Sequence, residues 1–309
     1  VKLFSANQNF IFANKFMRYY LIFSFLFLFL QSQAQFFQTP IRFSAFYQNE
    51  FNPEFIHQNN IKQVKITYSS KADNERIKES QKQEITYFDK SGLPEKKISI
   101  NANDSVETFY YYTANHLTIL REFNSGGINT FYFSYDSAAN LTKVVQCKEE
   151  NATDSKHYFR LKKQEVQWLE TYTYKQISPK QIRKKISNDV GAVYKEAFLY
   201  LNEKGKTLEE NERFVVTGVS QNFLYSYSEE GAIKSIDFAT DVVGKLEENY
   251  TFTYDSKGNR ASETFFRNHE QRWQKTYFYD AKQQFLEAII LKYPNQSTFY
   301  LQTFKVEFY

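Results

Sequence analysis

The residues of this 309-residue chain best placed to do chemistry are four aspartates in matching contexts, Asp89, Asp136, Asp255 and Asp280. A row of carboxylates could hold cations. An aspartate that opens a turn instead accepts hydrogen bonds from backbone amides two residues further on. Each of the four follows an aromatic residue, and Gly92 and Gly258 stand three residues after Asp89 and Asp255, so hairpin capping is the expected role. Asn140, Gly205 and Gly231 hold equivalent places in sister stretches. The histidines His57, His116, His157 and His269 are scattered, and none stands at ligand spacing from another histidine or from Cys147. No metal site is expected from them. A phosphate loop, a nucleophile elbow, an HExxH helix and an EF-hand are all absent, so neither a catalytic residue nor a cofactor is expected. A glycosidase needs only two carboxylates about 5–9 Å apart, which leaves a secreted carbohydrate-active hydrolase as a third-ranked alternative with no positive sign. Trp168 and Trp273 are the candidates for stacking on a glycan or a protein partner.

The elements that must carry these residues recur along the chain. Phe252-Thr-Tyr-Asp-Ser-Lys-Gly-Asn259 is matched by Phe133-Ser-Tyr-Asp-Ser-Ala-Ala-Asn140, by Tyr277-Phe-Tyr-Asp280, by Tyr225-Ser-Tyr227 with Gly231, and by Phe198-Leu-Tyr200 with Gly205. Anchored on the residue before the aspartate slot, the repeat has a period of about 25 residues between Phe88 and Tyr279, with one short step from Phe159 to Tyr174. Aromatic, any, aromatic is the period of a strand with one buried face. Further glycines near the middle of each unit supply a second turn, so each unit reads as a hairpin. A lone hairpin is marginal in water and must lean on its neighbours. Phe223, Tyr225 and Tyr227 with Tyr250, Phe252 and Tyr254 are expected to line one face as cross-strand rows. The stretch around 176–190, broken at Pro179 and rich in Lys and Arg, is expected to be a decorated turn, with a partner-binding insertion as the functional alternative.

Phe252 to Asn259 closely resembles the core of the tyrosine-aspartate (YD) repeat of RHS-type proteins, bacterial surface or secreted polymers of β-hairpins. The resemblance runs over about residues 85–290, without the arginine that often precedes the motif and without a toxin segment. It implies an all-β, elongated antiparallel meander of repeated β-hairpins in an envelope or extracellular setting, and no role in toxin encapsulation.

The only methionine, Met17, precedes an export pattern: Arg18, the apolar run 21–30 and a polar tail ending in Ala34. Cleavage is expected between Ala34 and Gln35, and the run is short for a membrane span, which takes about 20 residues. The chain therefore divides into an upstream extension (1–16), a signal peptide (17–34), a lead-in that caps the first hairpin's open edge (35–60) and the hairpin domain (61–309). Removing Lys2, Lys15 and Arg18 lowers the net charge from +4 to about +1, which gives no argument for nucleic acid. One cysteine allows no disulfide framework, and its distance from the cut excludes a lipoprotein. With Phe 32, Tyr 24 and Trp 2 the chain is too aromatic to be disordered. The leading expectation is an exported, periplasmic or extracellular, non-enzymatic protein that binds an envelope protein or glycan without stable membrane insertion. The alternative is an outer-membrane β-barrel, favoured by the signal, the ten-residue strands and the alternating C-terminus Phe304, Val306, Phe308.

Overall fold

A computed structural model describes residues 36, 51–153, 155–241, 246–280 and 285–309. The expected export cleavage residues Ala34 and Gln35 lie outside them. One short helix, α1 (Pro53–Gln58), precedes β1 (Ile61–Lys71), β2 (Lys78–Phe88), β3 (Pro94–Asn101), β4 (Asp104–Thr113), β5 (His116–Asn124) and β6 (Gly127–Tyr135). There follow β7 (Leu141–Asn151), β8 (Leu161–Ser178), β9 (Gln181–Ser187), β10 (Val193–Leu201), β11 (Thr207–Phe214) and β12 (Ser220–Tyr227). The last six are β13 (Ile233–Thr240), β14 (Glu247–Tyr254), β15 (Arg260–Arg267), β16 (Glu270–Tyr279), β17 (Leu286–Lys292) and β18 (Phe299–Phe308).

Every strand pairs antiparallel with its sequence neighbours, and β1 also pairs with β18 from Ile61↔Phe308 to Lys71↔Phe299. The 18 described strands therefore form one closed sheet. The antiparallel meander of the sequence reading is present, but the elongated YD/RHS-type arrangement is not: the seam brings the two ends of the meander together into a barrel. The lead-in has no open edge to cap. Its described part, Phe36 and α1, packs on the seam instead. Asn52 caps the helix by accepting from the Glu54 amide at 3.1 Å, and Pro53 starts it where a missing N–H costs nothing.

Side-chain alternation sets the two faces of the wall. On β12, Phe223 and Tyr225 are buried while Leu224 and Ser226 are exposed. Phe223 is paired with Phe238 and Tyr225 with Ile236 on β13. A closed sheet leaves most of its outside uncovered, so the face buried all the way round is the inner one. Three inner clusters result: the seam with α1, the β4–β9 wall, and the β12–β14 wall. The rows of β12 and β14 do share this face, but β13 stands between them, so they are not cross-strand neighbours.

Candidate functional site

The repeat aspartates open turns at one end of the barrel, each between an even-numbered strand and the strand that follows it. Asp136 Oδ1 accepts from the amides of Ala138 (2.9 Å) and Asn140 (2.8 Å), and the Asn140 amide group donates to Oδ2 at 2.9 Å. Asp255 repeats this with Lys257 and Asn259 (both 2.8 Å), and Asp89 with Ser91 and Leu93 (both 2.9 Å). These bonds hold the Asp136 carboxyl below its ordinary range, Asn140 being the main cause. The backbone of Asp280 donates to Phe285 at 2.8 Å, the rest of its turn lying outside the described residues. Gly205 and Gly231 close sister turns on Asn202 (3.0 Å) and Ser228 (2.9 Å). Asn202 fills the aspartate slot with the same bonds, accepting from Lys206 at 2.9 Å, and Asn188 makes the matching bond from Ala192 (2.9 Å) in the β9–β10 turn at the opposite end of the barrel. The sequence reading missed these two; the Asn-x-x-Gly spacing carries the signal.

The anchor tyrosines explain why the repeat needs a phenol. Four of these hydroxyls donate to a carbonyl at the start of the preceding returning strand: Tyr135 to Leu117 (3.0 Å), Tyr227 to Thr207 (2.7 Å), Tyr254 to Ile233 (2.7 Å) and Tyr279 to Arg260 (3.1 Å). A buried hydroxyl needs such a partner, and this one ties successive hairpins together. Further along the inner wall, charges are paired: Glu84 with Lys97 at 2.6 Å, Lys195 with Glu212 at 3.1 Å, Glu263 with Lys275 at 3.3 Å. Trp168 and Trp273 face inward and are half-buried, Trp273 lying 5.4 Å from Phe265 and 6.2 Å from Tyr250.

The outer wall differs around the barrel. Over β4–β8 residues 155–160 lie across it as a strap. Phe159 covers the Arg121 guanidinium at 3.6 Å, His157 meets Phe109 edge-on at 5.5 Å, and Lys156 reaches Glu107 at 2.7 Å. Beneath it, buried Glu149 accepts from Arg121 (3.0 Å), Thr130 (2.6 Å), Tyr132 (2.5 Å) and Gln164 (3.1 Å). Such a buried pair is tolerated because its hydrogen bonds are filled. Cys147 is 1% exposed on the same strand. The stretch 176–190 carries the hairpin of β8 and β9, as the turn reading expects, with Pro179 in a two-residue turn rather than in a strand.

The four histidines stay apart, and among the described residues no three potential ligands gather for a metal. On β12–β15 most outward positions are Ser, Asn, Asp, Thr and Glu, with Leu224, Ala239 and Phe266 among them, and they enclose a recess of about 470 Å³. Asn222, Leu224, Asp237, Glu247, Asn249 and Phe266 line it. A second recess of about 720 Å³ at the rim holds Arg267 and Arg272, whose charges are matched by Glu248 (2.8 Å) and Glu270 (2.9 Å). No described helix is long and apolar enough to cross a membrane, which says nothing of a barrel.

These features define a closed antiparallel β-barrel with an aromatic inner wall. No family model and no curated protein matches the chain. Among solved structures it is similar to a porin-like protein from Bacteroides vulgatus ATCC 8482 (8% identity, TM-score 0.33, covering 79% of this chain and 97% of that one). A porin-like protein from Bacteroides uniformis ATCC 8492 is 12% identical, with TM-score 0.27 over 80% of this chain and 98% of that one. The TcdB2–TccC3 structure lacking its hypervariable C-terminal region is 15% identical, with TM-score 0.28 over 73% of this chain and 12% of that one. At TM-scores this low the barrel rests on the strand pairing alone.

Proposed function

We propose that the mature chain works in the bacterial cell envelope as an outer-membrane-type β-barrel that binds rather than catalyses. The β1–β18 seam carries this reading. A β structure in a membrane must satisfy all its backbone groups internally, and closure is the only way for it to do so. An even number of antiparallel strands and an aromatic-rich last strand also fit the class. The arc β2–β3 turns Ile85, Ile98 and Ile100 outward by its register and is assigned to lipid. The arc β9–β15 turns Arg183, Lys185, Glu196, Asp237 and Asn249 outward and is assigned to water or to a protein neighbour. No catalytic role is included, because the repeat carboxylates are occupied by turn amides.

Membrane fractionation of the producing cells tests it. The protein is expected in the outer-membrane fraction, resistant to an alkaline wash and released by detergent. Recovery in the soluble fraction without detergent would overturn the membrane setting.

A further inference from the structure

The wall of the barrel steps down between β8 and β9. β8 runs for 18 residues, but its pairing with β9 covers only Thr171 to Ser178. Its first half, from Leu161, is paired with β7 alone. Among the described residues no strand stands on the other side of 161–167, and the whole of that stretch is exposed. At about 3.3 Å per residue the step leaves roughly 23 Å of open strand edge. Such an edge presents a row of N–H and C=O groups that can template another strand. Unpaired backbone is not tolerated among lipid tails, so in a membrane-spanning barrel this edge stands beyond the apolar layer.

The side chains along the edge select among strands. Lys162 and Lys163, each with its side chain 65% exposed, share the single carboxylate of Glu150 at 3.2 and 3.9 Å. Arg160, next to them and exposed, has no ion pair among the described residues. Glu165 is the one acidic residue of 161–167, and it stands opposite Lys148 in register. The edge thus carries an excess of positive charge. Lysines so placed repel a second edge of the same kind and attract an acidic one. Leu161 and Val166, 47% and 57% exposed, add apolar surface beside them. We propose that the free edge of β8 takes up an extended acidic peptide of a partner protein by strand addition. Backbone pairing along 161–167 supplies the affinity, and Lys162 and Lys163 select acidic side chains. The site goes beyond the barrel reading and needs only the step between β8 and β9.

Fluorescence anisotropy on the purified full chain tests it with three labelled heptapeptides. One alternates valine with glutamate, one alternates valine with lysine, and the third is the glutamate peptide N-methylated throughout, which keeps its charge and removes its N–H donors. Saturable binding of the glutamate peptide is expected, about tenfold weaker for the lysine peptide, the scale of a few exposed charges, and lost on N-methylation. Lys162→Glu combined with Lys163→Glu should reverse the preference between the two charged peptides, with the circular dichroism spectrum unchanged. Undiminished binding of the N-methylated peptide would mean a contact of charge alone and overturn the proposal. No saturable binding, equal binding of the glutamate and lysine peptides, or no reversal in the double variant would do the same. Self-association of the full chain that the glutamate peptide competes away, read by light scattering, would assign the edge to a second copy instead. Fractionation reads the membrane setting separately, so the two can fail independently.

Discussion

At the seam, Phe88 is fully buried with its ring 5.2 Å from Phe51, and Phe304 lies 6.2 Å from Phe36, so residues from both ends of the described chain meet in one cluster. On the β12–β15 arc, Phe223 is equally buried, but its partner is Phe238 on the next strand, 4.7 Å away. One region is held by contacts remote in sequence and the other by a hairpin and its neighbour. The same hairpin sequence is therefore used in two ways. At the arc it is self-sufficient with its neighbours, and at the seam it becomes a platform for α1.

The largest effects should come from the buried rings. Phe88→Ala and Phe223→Ala should each cost about 3–5 kcal/mol in urea unfolding, the range for truncating a buried aromatic. Hydrogen exchange separates them: Phe88→Ala should also release amide protection in α1, and Phe223→Ala should leave it intact. Equal loss in α1 would erase the distinction.

The turn glycines give a sharper contrast. Gly92 and Gly258 both have positive φ, +85° and +83°. A Cβ on Gly92 would sit 1.9 Å from the Pro53 carbonyl oxygen, whereas on Gly258 it would meet nothing within 4 Å. Gly258→Ala should therefore cost only the left-handed backbone penalty, roughly 1–2 kcal/mol. Gly92→Ala should cost more and displace the helix, read from the melting temperature and from proteolysis near residue 53. Equal costs would mean that α1 does not dock on that turn.

Smaller again is Tyr254→Phe, which removes one hydroxyl link between hairpins of the arc and should cost about 0.5–1.5 kcal/mol by denaturant titration. The pH effect is the smallest. The Asp136 carboxyl titrates lower in the folded chain than in the unfolded one, so the folded state binds fewer protons. Its contribution is present above the unfolded value near pH 4 and lost as pH falls through the folded one. Asp136→Asn should flatten acid unfolding below about pH 4, measured against the parent protein.

Much of this was legible in the sequence because it is local. Asp136 with Asn140 and Asp255 with Gly258 mark turns within a few residues, and alternating aromatics mark the inner face. Closure was legible only as the alternative suggested by the signal, the ten-residue strands and the alternating C-terminus Phe304, Val306, Phe308. The pairing that makes it was not, since Thr67 meets Thr303 across 236 residues and no repeat period encodes a pairing between the first and last strands. The strap over Arg121 and Glu149 was hidden for the same reason, since its partners Glu107, Phe109 and Arg121 lie on strands β4 and β5, far from it in sequence. The recess was hidden too, because Asn222, Asp237 and Asn249 look like ordinary solvated strand residues until register aligns them.

Closure itself is tested most directly by cross-linking Thr67→Cys with Thr303→Cys, registered partners whose hydroxyls lie 2.5 Å apart. Cross-strand partners are close enough for a disulfide, and Ser226→Cys with Ser235→Cys, 2.7 Å apart on one hairpin, serves as the control. In a closed barrel both pairs oxidise, and the seam pair gives a compact monomer that migrates faster on a non-reducing gel. An open meander would cross-link the hairpin pair and leave the seam pair reduced.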